Sequence, residues 1–227
     1  MSLVAIMKSK VFIILALFLA SLGGIVFYFF FGTPWDLVRY KNTFESYLED
    51  KYNQDFVINS ISYDLIHGGT YHAYAFASEE EEVLFYVGQN PQTGEIEDGF
   101  HYELWSSLVR QEWNPLIENL YPDKFNHAVG IRTILDESAL GGPDIPDYKD
   151  ATTIEVGISM IETEFTNESA DFELKRAFEL IDQLRSSGVR VEYFGVDYKS
   201  KALRLNEAEL KDVHDYRDLE KWLFEYR

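Results

Sequence analysis

Cysteine is absent from all 227 residues. That excludes disulfides, thiolate metal sites, thiol catalysis and a lipid-modified cysteine anchor. Proline is scarce, at six residues, and basic side chains are few: 20 Lys and Arg stand against 39 Asp and Glu, for a formal net charge of −19. A surface so short of cations does not match nucleic acid, whose phosphates require a basic face. It stands off anionic headgroups and gathers cations as a diffuse atmosphere, although solubility alone accounts for most of the imbalance. Acids are themselves missing from one end, where none occurs before Asp36.

What fills that end is Val11 to Phe31, VFIILALFLASLGGIVFYFFF, 21 residues without a charge. At 1.5 Å per residue the run reaches about 31 Å, one hydrocarbon core, and predicts a transmembrane helix. A secretory signal also begins with a basic tail, here Lys8 and Lys10 within residues 1–10. Signal cores stop after about 7–15 residues at a small-residue site, whereas the small cluster Ala20-Ser21-Leu22-Gly23-Gly24 lies inside this run and IVFYFFF continues past it. An uncleaved anchor is the expectation. Lys8 and Lys10 before the helix are nearly balanced by Arg39 and Lys41 after it. Proximity favours an inside N-terminus and an outside acidic domain, with Tyr28 and Trp35 at the far interface.

From Asp36 onward, 39 acids face 18 bases, while apolar residues at 46% and aromatics at 16% of the whole chain supply a core and exclude disorder. An exported chain held by packing alone suits a bacterial envelope protein. Thr33-Pro34-Trp35-Asp36 is a helix start, with Thr as N-cap, Pro at the first helical position and Asp three after the cap. Helical spacing then carries to about Tyr52, ending at Asn53. Phe56 to Leu65, Tyr71 to Phe76 and Val83 to Val87 read as strands. A two-residue turn at Gly68-Gly69 joins the first two, and a charged connection, Glu79 to Glu82, leads to the third.

A second helix is expected from about Gly99, meeting Pro115, where Asn114-Pro115 starts a short new one. Strands follow at His127–Leu135 and Thr152–Ile161, separated by a Gly/Pro surface loop at residues 140–150. Ser169 is expected to cap a helix burying Phe172, Ala177, Phe178, Ile181 and Leu184, with Gly188 as its stop. Val189–Tyr198 and Ala202–Leu205 form a hairpin. Asn206 and Glu209 make a capping box for a last helix carrying Leu219, Leu223 and Tyr226. The order is α-βββ, α-ββ, α-ββ, α, which predicts an α+β fold of mainly antiparallel sheet packed with helices after the membrane helix. Domain boundaries are expected at residues 1–10 (tail), 11–31 (anchor), 33–90 (αβββ module) and 98–227 (α+β module). Asp50-Lys-Tyr-Asn53 and Asp123-Lys-Phe-Asn126 suggest an internal repeat.

The anchor followed by Gly32-Thr-Pro-Trp-Asp-Leu37, then Tyr47-Leu-Glu-Asp-Lys-Tyr-Asn-Gln-Asp-Phe-Val-Ile58, Ile61-Ser-Tyr63 and a glycine hairpin, resembles the YfjL-like membrane proteins of Bacillus and relatives. The resemblance covers residues 1–78. The helix end with its following strands is also similar to PepSY-type modules. What the resemblance implies is an extracytoplasmic, membrane-tethered domain, with no functional residues to carry over.

Candidate chemistry is sparse. With Gly68-Gly69 as the turn, His67 faces Thr70 and Leu65 faces His72, so His67 and His72 become diagonal neighbours roughly 7–8 Å apart, able to hold a metal given a third ligand. The simpler reading is two hairpin-edge histidines. Asp144, Asp147 and Asp150 space three carboxylates through the Gly/Pro loop, but D-x-x-D-x-x-D is not a calcium-loop pattern, and turn-forming or capping aspartates explain it more simply. No nucleophile elbow, H-E-x-x-H or glycine-rich phosphate loop occurs, and no cofactor is implied. Paired carboxylates for glycoside hydrolysis are a spatial signature, so 39 acids leave that class open. The leading expectation is a tethered binding module that contacts the bilayer through residues 11–31 and another envelope protein or a peptide through its domain. The alternatives are an envelope hydrolase and a cation sensor.

Overall fold

The computed structural model describes residues 3–66, 68–135 and 142–226. The chain is α+β and divides into two compact units, Met1–Phe100 and His101–Arg227.

The first unit opens with α1, Leu3–Phe31, which carries no charge from Val11 on. Among the described residues it supplies the one helix long and apolar enough to cross a membrane, and its side chains from Phe12 to Phe31 are exposed. Gly32 ends it with a left-handed φ of +67° and a 3.0 Å bond from its N–H to the Tyr28 carbonyl. Helix α2, Pro34–Tyr52, starts as its sequence requires: the Thr33 hydroxyl accepts the Asp36 N–H at 3.1 Å. Asn53 in the left-handed region closes it. Phe44, Leu48 and Tyr52, spaced by four, are its buried face, each contributing about 1.5–3 kcal/mol of burial.

That face covers one side of a four-stranded antiparallel meander, β1 (Phe56–Asp64), β2 (Thr70–Ala77), β3 (Glu80–Gln89) and β4 (Ile96–Asp98), in sequential order. Strand β3 is longer than expected. The connection is only Ser78-Glu79; Glu80 pairs with Ala77, and Glu80–Glu82 belong to the strand while their side chains remain exposed. A run of charge does not break a strand where solvent lies on the side-chain sides. Strand β4 has no sequence signal beyond Ile96; it is set by the Asn90 turn, whose side chain accepts the N–H groups of Gln92 and Thr93.

The first hairpin also differs. Ser62 faces His72, Tyr63 faces Tyr71 and Asp64 faces Thr70, so the glycines form the second half of a longer loop. The Asp64 carboxylate accepts the Ile66 N–H, the Gly69 N–H returns to the Asp64 carbonyl, and Gly68 and Gly69 take φ of +88° and +72°.

Helix α3 spans Phe100–Leu120 without interruption, with Phe100 in the first unit and the rest in the second. Pro115 removes one N–H, but Pro115 and Gln111 lie on the exposed side, and Trp113 and Ile117 continue the buried face across them. Strand β5 is Asn126–Ile134, α4 is a single turn at Tyr148–Ala151, and β6 is Thr152–Met160. Helix α5, Ala170–Ser186, crosses over to β7, Arg190–Tyr198, which lies parallel to β6. Strand β8 is Lys201–Asn206 and β9 is Leu223–Glu225, and the sheet order is β5-β6-β7-β8-β9 with the remaining pairs antiparallel. The capping box of Asn206 and Glu209 forms, yet its helix α6 is only Glu207–Lys211. A 3-10 turn at Tyr216–Trp222 and strand β9, Leu223–Glu225, replace the expected long helix, so Leu219 is core and Leu223 is sheet.

Ser169 flanks α5 without capping it, because its hydroxyl turns back to Thr166. The buried stripe is Leu174, Ala177, Leu180, Ile181 and Leu184, while Phe172 is exposed. Helices α3 and α5 share one core with alternate strand residues: Val129 and Ile131, Ile154 to Met160, Phe194 to Tyr198, and Leu203 and Leu205. The suggested repeat has no structural counterpart: Tyr52 is buried in the last turn of α2, whereas Phe125 is exposed and leads into β5.

Candidate binding faces

Strand alternation dictates that each sheet has a second face, opposite its helices. In the first unit that face reads Val57, Ser60 and Ser62 on β1, His72, Tyr74 and Phe76 on β2, Leu84, Tyr86 and Gly88 on β3, and Glu97 on β4. Solvated antiparallel faces normally carry polar side chains; here Val57, Tyr74, Leu84 and Tyr86 are exposed instead. Tyr74 faces Tyr86 across the strands with ring centroids 6.4 Å apart, and His72 stacks on Tyr86 at 6.0 Å. Gly88 makes room for this cluster: a Cβ there would meet the Tyr86 ring and come within 2.8 Å of the His72 Cβ. Beside it lies a concavity of about 240 Å³ lined by Asp64, Thr70, His72, Tyr86, Gln89 and Pro91. Burial, then the negative charges of Glu97 and Asp64 with Tyr74 between them, push the Tyr86 phenol up, so it stays a neutral donor.

The open face of the second sheet is built differently. Ala128, Gly157 and Gly195 lie side by side on β5, β6 and β7, a floor almost without side chains. A Cβ at Gly157 would touch nothing, so internal packing does not require glycine there; such positions mark close approach by a ligand or another backbone. Tyr193 lies over Gly195, and Asn126, Ser159 and Asp197 rim a hollow of about 220 Å³.

The acids of this face are held by partners. Arg132 bridges Glu155 at 2.5 Å and Glu192 at 3.1 Å, while the Thr133 and Thr153 hydroxyls donate to Glu192 at 2.7 Å. The bonds from Thr153, Thr133 and Arg132 hold the Glu192 carboxyl below its usual range, which suits a fixed anion and not a general acid. Asp197 accepts from Arg204 at 2.9 Å and from the Tyr226 hydroxyl at 2.7 Å. Glu155 faces Tyr193, four residues along β7 from Asp197, which separates the two backbone positions by about 13 Å.

A third concavity, about 180 Å³, lies where Ile181 and Leu184 of α5 meet Val189, Val191 and Leu210, with Arg185, Arg190, Lys211 and Glu207 also lining it.

The metal candidates of the sequence are dispersed. His67 lies outside the described residues, and His72 faces Ser62 and stacks on Tyr86, so the register that would have set the two histidines as diagonal neighbours does not occur. Asp147 caps α4, accepting the Lys149 N–H at 2.9 Å, and Asp144, Asp147 and Asp150 are all exposed. Lys149 and Tyr148 bond Glu112 of α3 at 2.7 and 2.6 Å, tying this loop down as structure. No group of three or more His, Cys, Asp or Glu that could hold a metal occurs among the described residues. The aromatic face was missed because its residues are ordinary strand formers; the available signal was period-2 alternation with Tyr, Phe and Leu in both phases. The glycine floor was missed because its members are more than 25 residues apart in sequence.

Together these elements define an α+β chain with an N-terminal apolar helix and two helix-backed sheets, each with an open face. No protein-family model matches the chain, and a search of curated proteins likewise finds no match. Among solved structures, a DUF5037 family protein from Ruminococcus gnavus is similar over 76% of this chain and 77% of its own length, with 17% identity and a TM-score of 0.36.

Proposed function

We propose that this is a single-pass membrane protein whose acidic domain stands outside the cell and acts as a non-catalytic binding module for a neighbouring envelope protein. The observation that carries the reading is the exposed Tyr74, Leu84, Tyr86 and Val57 on a sheet face that alternation would make polar. Exposed apolar patches rimmed by polar groups mark interaction sites, and tyrosine supplies contact area at low entropic cost. Asp64, Glu82 and Glu97 border the patch. The complementary partner surface is apolar at its centre and bears Lys or Arg at its rim. The tether supports the same reading. A diffusible substrate gains little from it, whereas two simultaneous attachments raise avidity by roughly 10²–10⁴-fold. The ancestry that best fits this architecture is the YfjL-like group that the first 78 residues resemble.

The test is photo-crosslinking in intact cells from a probe amino acid at Tyr74, with one at exposed Glu179 of the second unit as control. The reading predicts a membrane-embedded partner captured from position 74 only. Tyr86→Ser should abolish that capture, as should replacement of residues 1–31 by a cleaved signal, with the domain still folded. A released domain that complements a deletion strain and degrades or modifies a wall component would instead establish the hydrolase reading.

A further inference from the structure

The junction between α1 and the first sheet fixes which end of that sheet meets the membrane. Helix α2 leads away from Gly32 for 19 residues, about 28 Å, and β1 returns over nine residues, about 30 Å. The two lengths match, so the chain comes back to the level at which it left α1. The contacts confirm it. A Cβ on Gly32 would lie 2.5 Å from the Tyr71 hydroxyl and 3.1 Å from the Tyr63 ring, so both tyrosines close directly on the residue that ends the apolar helix. Tyr71 is further fixed by stacking on Tyr40 at 4.3 Å and beside Tyr63 at 5.0 Å.

Tyr63 and Tyr71 are the last facing pair but one before the β1–β2 loop. The loop therefore lies beyond Gly32, on the side of Phe31. It presents Leu65 and Ile66, 41% and 88% exposed, and the first turns of α2 present Trp35 and Val38, 71% and 62% exposed. An isoleucine this bare at a hairpin tip buries nothing within its own unit. Trp35 is four residues past Phe31, about 6 Å along a helix, within the headgroup layer that adds about 5–8 Å to each side of the hydrocarbon core. Arg39 lies one residue from Val38 and pairs with Asp36 at 2.8 Å; Asp64 is engaged with the Ile66 N–H at 2.9 Å.

We propose that Leu65 and Ile66 at the hairpin tip, with Trp35 and Val38, insert into the headgroup layer of the bilayer that α1 crosses. The first unit thereby gains a second, interfacial attachment. Tryptophan and aliphatic side chains are the residues that favour that layer. This rests on the anchor reading of α1. It adds that the sheet stands tip-down with its strands rising from the surface, so the aromatic face is presented sideways to neighbouring membrane proteins.

The cysteine-free chain allows a direct test. Full-length protein in phosphatidylcholine–phosphatidylglycerol nanodiscs carries one environment-sensitive nitrobenzoxadiazole label on Phe18→Cys, Ile66→Cys or Glu79→Cys. Quenching is then measured with nitroxide lipids labelled at the headgroup or deep in the chain. The expected result is deep quenching at 18, headgroup quenching with blue-shifted emission at 66, and several-fold weaker quenching at 79, at the opposite end of β2. Quenching at 18 but not at 66 overturns the inference and leaves the anchor intact. Equal quenching at 66 and 79 also overturns it, because the sheet would then lie flat. Loss of quenching at 18 removes the anchor reading and this inference with it.

Discussion

Asp98 has a side chain only 1% exposed, yet it is fully engaged: it accepts from the Tyr52 hydroxyl at 2.6 Å, Lys51 at 2.8 Å, the Tyr47 hydroxyl at 3.1 Å and the Phe100 N–H at 3.1 Å. It joins α2 to the start of α3 within the first unit. Asp98→Ala strands a buried hydroxyl and removes a cation's partner, and should cost about 3–5 kcal/mol in a urea melt. In the second unit Arg176 pairs with Glu173 at 2.5 Å, both nearly buried, and Glu173 also accepts the Tyr198 hydroxyl at 2.9 Å. Arg176→Met alone should destabilise by about 3–5 kcal/mol, whereas Glu173→Leu with Arg176→Met should recover most of that loss, because the unpaired buried charge is gone. Asp218 is held at about 2 by Lys221 and the His214 and Asp215 N–H groups. Its contribution is present above its ordinary value of 3.8 and fades as pH falls toward 2, so Asp218→Asn should flatten the melting profile across that window. The Asp98 and Tyr198 partnerships were not legible in the sequence, because they join distant residues through packing, whereas the bonds of Asp218 are local, all within four residues. Glu173 and Arg176 stand three apart on α5, but nothing in that spacing shows that both are buried.

At the scale of elements, local grammar reads well where local chemistry decides. The Thr33 cap, the Asn206–Glu209 box, Gly188 and the β7–β8 hairpin all stand where residue type placed them. It failed where tertiary packing overrode it: Pro115 inside α3, Glu80–Glu82 inside β3, and the C-terminal segment, whose apolar spacing serves a 3-10 turn and a strand. The hairpin register differs from a two-residue Gly68-Gly69 turn because the Asp64 carboxylate accepts the Ile66 N–H and extends the loop. The α1–α2 junction gives the sharpest element-level prediction. Gly32→Ala adds a Cβ against Tyr71 and Tyr63 at a left-handed φ, and should lower the melting temperature of the full chain in nanodiscs. Gly94→Ala, also left-handed but with no atom within 4 Å of its Cβ, should cost only the backbone strain. Equal losses at the two positions would mean that the tyrosine clamp contributes nothing.

For the whole molecule, the division between an apolar N-terminal helix long enough to cross a membrane and an acidic remainder was the most legible feature of the sequence, since it depends on composition and length alone. The use of the domain was the least legible, since the open faces arise from strand pairing and from which side the helices cover. On the anchor reading proposed for α1, its orientation decides whether the aromatic face meets envelope partners or cytoplasmic ones. The chain has no cysteine, so Ser2→Cys and Lys199→Cys give single-thiol proteins, the second on an exposed turn between β7 and β8. Treated as intact cells with a membrane-impermeant maleimide, the protein should label at position 199 and stay unlabelled at position 2 until the cells are opened. Labelling at position 2 alone would contradict the account, because it would put the acidic domain, with both open faces, inside the cell.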